Sequence, residues 1–146
     1  MGTATKHFDF EELLINQTEK PSIEILHNLK KVAQFLEVYR EKIFKNQPIK
    51  ITSGWRSPEY NKKIGGAENS MHCKGLAVDF LAPAGFTVRR CYELLDIAHQ
   101  GGLERANTWV HIDLRPTVIR FDNNNKILAS HFDINIHDKL FKGVKL

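Results

Sequence analysis

Residues 70–79 read SMHCKGLAVD and place a histidine, His72, in a loop before a predicted strand that carries an aspartate, Asp79. Alternation along a strand puts Asp79 on one face and its neighbours Val78 and Phe80 on the other. A carboxylate inside such a strand needs a partner or a metal ion, because burying a bare charge is costly. The segment therefore predicts a polar or metal-binding position at Asp79.

The segment 109–114, WVHIDL, follows the same logic in a second predicted strand. Val110 and Ile112 form an apolar face, whereas His111 and Asp113 share the opposite face. Two strands thus offer one ligand type each on the face that does not pack on the core.

His72, Asp79 and His111 are together the ligand types of a zinc site. Three such ligands leave one tetrahedral position open, which is typical of catalytic rather than structural zinc. On spacing alone, a core or surface histidine is the commoner explanation, so the metal site is a hypothesis at this point.

The chain has 146 residues, 42% of them hydrophobic and 26% charged, which is typical of one soluble globular domain. The longest apolar runs span only a few residues, so no membrane span is expected. Cys73 and Cys91 form no disulfide framework, and we expect both to be reduced thiols. The net charge of +4 is scattered rather than clustered with aromatic residues, which argues against a nucleic-acid partner.

Helical periodicity and capping residues come first along the chain and strand patterns later, which predicts an α+β fold with a mostly antiparallel sheet. The predicted helices cover residues 8–14, 22–44, 57–64 and 87–100, and the predicted strands cover 49–53, 77–82 and 109–114, with a hairpin of 117–121 and 127–130. Residues 102–105 are predicted to form a loop. In the tail, His131, Asp133 and His137 alternate with apolar residues, which indicates a strand with a polar face rather than a second metal cluster.

The pattern Ser70-x-His72-x-x-Gly75-x-Ala77-x-Asp79, followed by Trp109-Val110-His111, resembles the zinc peptidases of the D-alanyl-D-alanine carboxypeptidase group, which share the Hedgehog/DD-peptidase fold. The group includes phage L-alanyl-D-glutamate endopeptidases. Residues 51–58, ITSGWRSP, are similar to another segment of that family, and Phe8-x-x-x-Glu12-Leu13 is similar to the start of its phage and bacterial branch. The resemblance covers roughly residues 7–115. It implies a single domain over 1–146, with 116–146 as its C-terminal extension.

This resemblance implies that His72, Asp79 and His111 bind Zn²⁺. It also implies that Arg56 holds a carboxylate of a peptide, a role that suits a planar guanidinium. Ser70 either hydrogen-bonds the substrate or is simply a turn residue. The implied substrate is the stem peptide of bacterial peptidoglycan, cut either at a terminal D-alanine or within the stem, and we expect a monomer.

The chain departs from the family where an acid usually stands three residues before the last histidine, because this position is Thr108. Glu104, in the loop predicted at 102–105, is the candidate general base, with a solvated loop acid as the alternative. Asp113 is a second candidate, either acting on the substrate or orienting a ligand imidazole. Thr108 also leaves open a non-catalytic, zinc-stabilised wall-binding or phage structural module.

Several other residues are expected to lie outside the site. Cys73 adjoins the first ligand, but neighbouring residues tend to point apart, and three ligands already exist. His7, His27 and His99 have no partner pattern and are predicted to lie at the surface. The N-terminal residues lack the apolar stretch of a secretory signal. We therefore expect a protein made in the cytoplasm that reaches the wall after release, as phage or prophage proteins do.

Overall fold

A six-stranded sheet and two long helices enclose the core of the protein in a computed structural model that describes residues 2–146. In chain order, the elements are α1 (Phe10–Leu13), α2 (Ile23–Lys42), β1 (Ile51–Ser53), α3 (Pro58–Lys63), a 3₁₀ turn (Met71–Lys74), β2 (Ala77–Phe80), α4 (Val88–Ala98), β3 (Gly102–Arg105), β4 (Val110–Asp113), β5 (Ile119–Asp122), β6 (Ile127–Leu128) and α5 (Ile134–Leu140). Within the described residues, no helix combines the length and apolar character needed to cross a membrane.

The helices begin where the sequence places capping side chains. The hydroxyls of Ser22, Ser57 and Thr87 each accept a hydrogen bond from the backbone N–H three residues later, at the starts of α2, α3 and α4. This bond satisfies a backbone donor that has no partner within the helix. The predicted helix starts are confirmed at these three positions.

The sheet has the strand order β1-β2-β4-β3-β5-β6 and is mixed, so the prediction of a mostly antiparallel sheet is wrong. β4 lies between β2 and β3 and runs antiparallel to both. β5 lies on the outer side of β3 and runs in the same direction as β3, so these two strands pair in parallel. β3 itself covers Gly102–Arg105, which corrects the prediction of a loop there.

The tail corrects a third expectation, because the segment predicted as a strand with a polar face forms α5. The carboxylate of Asp133 accepts hydrogen bonds from the backbone N–H groups of Asn135 and Ile136, which favours a helix start over a strand. One turn along the helix, the ring of His137 stacks on Phe141, four residues later, at 4.5 Å between centroids.

His99 is fully buried, which contradicts the prediction that it lies at the surface. Its Nε2 donates to the backbone oxygen of Asp113 at 2.8 Å, and its Nδ1 accepts from the hydroxyl of Tyr39 at 2.6 Å. These two partners satisfy the ring without solvent. His7 and His27 are exposed.

Arg120 is the largest of the fully buried side chains and joins the end of α4 to the sheet. Its Nε donates to the carboxylate of Asp96 at 2.7 Å, and its remaining nitrogens donate to the backbone oxygens of Asp96, His99 and Gly101. Burial alone would raise the pKa of Asp96, but the hydrogen bond from Arg120 holds that pKa below its usual range. A buried charge that is paired and hydrogen-bonded in this way is tolerated, whereas an unpaired one is not.

Replacing Arg120 with methionine removes the buried cation but keeps a long side chain. Asp96 then loses its charged partner, and the backbone oxygens of Asp96, His99, Gly101 and Ile119 each lose a donor. We expect the free energy of unfolding to fall by about 3–5 kcal/mol, measured by urea denaturation.

Arg89→Met is the matched control, because Arg89 is 80% exposed and its Nε lies 3.7 Å from Glu93. An exposed pair of this kind contributes little, so the control should change the free energy of unfolding by less than about 1 kcal/mol. Equal losses in the two variants would show that the buried pair contributes no special stability.

Candidate metal centre

The register of the sheet brings one residue from each of the six strands into a single row. Asp79, His111 and Glu104 lie directly opposite one another on β2, β4 and β3, with Ser53 of β1 on one side and Phe121 of β5 and Ile127 of β6 on the other. Residues opposite each other in a sheet project from the same face. The side chain of Glu104 therefore projects from the same face of the sheet as those of His111 and Asp79.

Three predicted ligands converge on this face. His72 Nε2 lies 3.2 Å from Asp79 Oδ1, and His111 Nδ1 lies 2.9 Å from the same oxygen. One ligand atom from each residue lies within 4.8 Å of the others, and this is the only such group among residues 2–146. Zinc bonds of about 2.0–2.2 Å in a tetrahedron separate ligand atoms by about 3.3 Å, so the residues present fit a zinc ion.

The orientation of His72 follows from the short turn that carries it. Ser70 caps that turn, and its hydroxyl accepts a hydrogen bond from the backbone N–H of His72 at 3.2 Å. The Nδ1 of His72 donates to the backbone oxygen of Gly54 at 2.7 Å, which leaves Nε2 as the free nitrogen facing Asp79. Ser70 therefore has a structural role, and its contact with a substrate stays a prediction.

His111 is held from behind by Asp113. Its Nε2 lies 2.8 Å from Asp113 Oδ2, which leaves Nδ1 for a metal ion. A carboxylate that fixes the ring orientation and tautomer of a ligand histidine is a common feature of zinc sites. The side chain of Asp113 is fully buried and is absent from the lining of the cleft, so its geometry fits orientation of His111 and not contact with a substrate.

The carboxylate of Asp113 is itself densely hydrogen-bonded. It accepts from the backbone N–H groups of Gly102 and Arg115, and from Nε and Nη2 of Arg115 at 2.8 and 2.6 Å. Burial alone would raise the pKa of Asp113, but hydrogen bonds from His111 and Arg115 hold it well below its usual range. Asp113 is therefore a permanent anion behind His111.

Gly102 provides the space for this carboxylate. A Cβ atom at this position would lie 2.4 Å from both carboxylate oxygens of Asp113, a distance that side chains do not tolerate. The two residues are opposite each other on β3 and β4. The glycine is thus required by the approach of a side chain across the sheet.

The two histidines have different protonation behaviour. Burial lowers the pKa of His72 and keeps its ring neutral, as a metal ligand must be. Burial also opposes the charge on His111, but hydrogen bonds to Asp113 and Asp79 outweigh it and raise its pKa to about 9. Without a metal ion, His111 is therefore protonated beside Asp79, and a metal ion held by these residues would take the place of that proton.

Arg56 lies at the β1 end of the site. Its Nη2 is 3.4 Å from Asp79, its Nη1 is 3.4 Å from the side-chain oxygen of Asn61, and its Nε donates to the hydroxyl of Ser53 at 3.1 Å. Asn61 is buried and anchored to the backbone oxygen of Ala67 at 2.7 Å. The contacts with Ser53 and Asn61 thus hold the guanidinium group of Arg56 beside Asp79.

A cleft of about 430 Å³ opens over this face. It is lined by the three ligand residues and by Arg56, Ser70, Met71, Glu104, Trp109, Arg115 and Phe121, among others. Burial raises the pKa of Glu104 above its usual value. Asp79 and Glu104 are the two acids in the lining, so Glu104 is the one carboxylate there outside the ligand set.

Other residues weighed from the sequence do not join the site. Thr108 is exposed in the turn between β3 and β4. The backbone oxygen of Cys73 accepts from the indole of Trp55, and its thiol does not belong to the ligand group. In the tail, His131 bonds Asp96 while His137 bonds a backbone oxygen of α4, so the two do not converge on one ion.

Sequence reasoning missed Arg115, although a signal for it was present. Continuing the alternation of β4 beyond its end places Arg115 on the face of His111 and Asp113. The sequence pattern around His99 does not predict its burial, because its hydrogen-bond partners come from distant parts of the chain.

A family model described as Peptidase M15 matches residues 6–113, which include every predicted ligand as well as Arg56 and Glu104. The chain belongs to the Peptidase M15 family. The predicted family resemblance is therefore confirmed. No sequence among curated proteins matches the chain. M15 peptidases are zinc-dependent metallopeptidases, in agreement with the ligand types gathered here.

We expect metal-free protein to bind one zinc ion per chain and to gain about 4 kcal/mol of stability when free zinc exceeds its Kd a thousand-fold. His72→Ala should abolish this gain, because it removes one of three ligands. His27→Ala is the matched control, since His27 is exposed on α2. Calorimetric titration and metal analysis give affinity and stoichiometry, and an unchanged affinity in His72→Ala would refute the ligand assignment.

Asp113→Asn should weaken zinc binding about 10- to 100-fold, because the ring of His111 loses its charged partner. Gly102→Ala should have a similar effect without altering any polar group, since the added methyl displaces the Asp113 carboxylate. Gly2→Ala, where nothing lies within 4 Å of the new atom, is the control. Zinc competition titrations on folded variants measure the effect, and full affinity in both site variants would exclude this orienting role.

Proposed function

We propose that this protein is a zinc-dependent peptidase that hydrolyses peptide bonds in the stem peptides of bacterial peptidoglycan. The observation that carries the proposal is the arrangement of His72, Asp79 and His111 on one wall of an open cleft, flanked by a guanidinium and a separate carboxylate. Membership of the Peptidase M15 family supports the metallopeptidase chemistry. The wall peptide and the site of cleavage are the finer parts of the proposal.

Zinc, when bound by these three residues, supplies a Lewis acid that polarises a carbonyl group and lowers the pKa of a coordinated water to about 7. Glu104 is the residue we assign to proton transfer. It lies directly opposite His111 in the sheet and lines the same cleft. Because burial raises its pKa toward neutrality, its carboxylate is a better proton acceptor than an ordinary surface glutamate.

Arg56 is the residue we assign to holding a substrate carboxylate. Its contacts with Asp79 and Asn61 are both 3.4 Å long, which is at the weak end of the hydrogen-bond range. A substrate carboxylate can replace such contacts with a pair of short charge-assisted bonds. Ser70 accepts a hydrogen bond from His72 and keeps its own O–H free to donate to the peptide.

Digestion of purified peptidoglycan by the zinc-loaded protein tests the function, with products identified by mass spectrometry. We expect soluble fragments whose masses identify the bond, and either loss of a terminal D-alanine or a cut within the stem. His111→Ala should release none. A protein that holds one zinc ion and releases no fragment would refute the peptidase function and favour a wall-binding or phage structural module.

Glu104→Gln should lower kcat about 10²- to 10⁴-fold while leaving one zinc ion bound, because an amide cannot accept the proton. The matched control is Glu68→Gln, an exposed acid that does not line the cleft. Product release is followed over time at saturating substrate. Unchanged kcat in Glu104→Gln would exclude Glu104 as the proton acceptor.

A further inference from the structure

Arg115 is a second guanidinium in the cleft, and it lies beyond the residues matched by the family model. Its side chain is 30% exposed, and its Cζ lies over the ring of Phe121 at 5.5 Å from the centroid. The bond pair to Asp113 fixes one edge of the guanidinium. The charge is thus held in one place at the wall of the cleft.

The bonds to Asp113 do not use all the donors of Arg115. A guanidinium has five N–H groups, and this pair of bonds uses Nε and one N–H of Nη2. Three N–H groups therefore remain on a side chain that lines the cleft. This number is enough for a carboxylate, which prefers two parallel bonds from an arginine.

Arg56 and Arg115 contact two different carboxylates of the site. Arg56 contacts Asp79, which lies opposite His111, whereas Arg115 contacts Asp113, two residues further along β4. Asp79 and Asp113 are diagonal neighbours in an antiparallel pair, a relation that places two residues about 7–8 Å apart. The two guanidinium groups contact different carboxylates of this pair, so a ligand that reaches both spans about two or more residues of extended peptide.

The charge balance of the site also favours an anionic ligand. With a divalent ion bound, Arg56, Arg115 and the ion exceed the carboxylates of Asp79, Glu104 and Asp113 by one positive charge.

We propose that Arg115 binds a second carboxylate of the substrate, so that the site selects peptides with two carboxylates separated by about two or more residues. The proposal rests on the proposed peptidase function for the identity of the ligand, and it adds a specificity-determining residue. Arg56 takes one carboxylate and Arg115 the other, and both side chains line the cleft that also contains His111 and Glu104. Arg115 thus has two tasks, since it also holds Asp113.

The test uses a synthetic stem pentapeptide with a free C-terminal carboxylate and a free carboxylate on its glutamate. Three matched peptides carry an amide at the first position, at the second, or at both. Dissociation constants are measured by calorimetry on zinc-loaded protein carrying Glu104→Gln, so that the peptides survive. This readout does not depend on whether the unmodified protein hydrolyses them.

We expect amidation of either carboxylate to weaken binding about 10- to 100-fold, the size of a charged hydrogen-bond pair. Adding Arg115→Gln should remove the effect of amidation at one position, to less than about threefold, and leave the effect at the other. Arg115→Lys should keep part of it, because the charge remains. Arg89→Gln, a change at an exposed arginine that does not line the cleft, should change none of the four constants.

A purely structural Arg115 gives a different result. If its only task is to hold Asp113, Arg115→Gln weakens zinc binding and weakens all four peptides by one common factor, and the proposal is overturned. It is also overturned if none of the four peptides binds. Absence of peptidoglycan digestion combined with selective loss at one carboxylate would instead refute the peptidase function and retain the two-carboxylate site.

Discussion

The hydrogen bond between Asp113 and His111 is the interaction on which the site depends. A histidine can present either ring nitrogen, and only a fixed partner on one nitrogen makes the other a dependable ligand. Asp113 is that partner, at 2.8 Å from Nε2. Its backbone is held by His99, and its carboxylate occupies the space that Gly102 leaves free. Several buried residues thus serve the orientation of one imidazole.

The register of three neighbouring strands brings two metal ligands and the candidate proton acceptor together. Asp79, His111 and Glu104 come from three segments of the chain and become neighbours because β2, β4 and β3 are adjacent with those residues opposite. A slip of one residue in any pairing would turn its side chain into the core. The apolar residues on the other face, Val78 and Ile112 among them, prevent such a slip, so the same burial that stabilises the sheet also fixes the site.

The parts of the fold predicted from sequence were those encoded locally. Capping hydroxyls marked the starts of α2, α3 and α4, and alternation separated the core face of β4 from the face that carries His111. Properties that depend on distant partners were not predictable in this way. The sequence predicts a loop where β3 forms, because four residues, one of them a glycine, carry little pattern. The pairing of β3 with β5 depends on which side of β4 is free, which the sequence does not show.

The residues beyond the family match contribute to the interior of the protein, because Arg120 of β5 is fully buried. β5 covers the open edge of β3, and Arg120 ties that strand to the end of α4 through Asp96. A chain ending at residue 113 would leave the backbone groups of β3 unpaired along an exposed edge, which is a template for association with other chains. In this protein, the strand that covers the edge of β3 therefore lies beyond the residues that the family model matches.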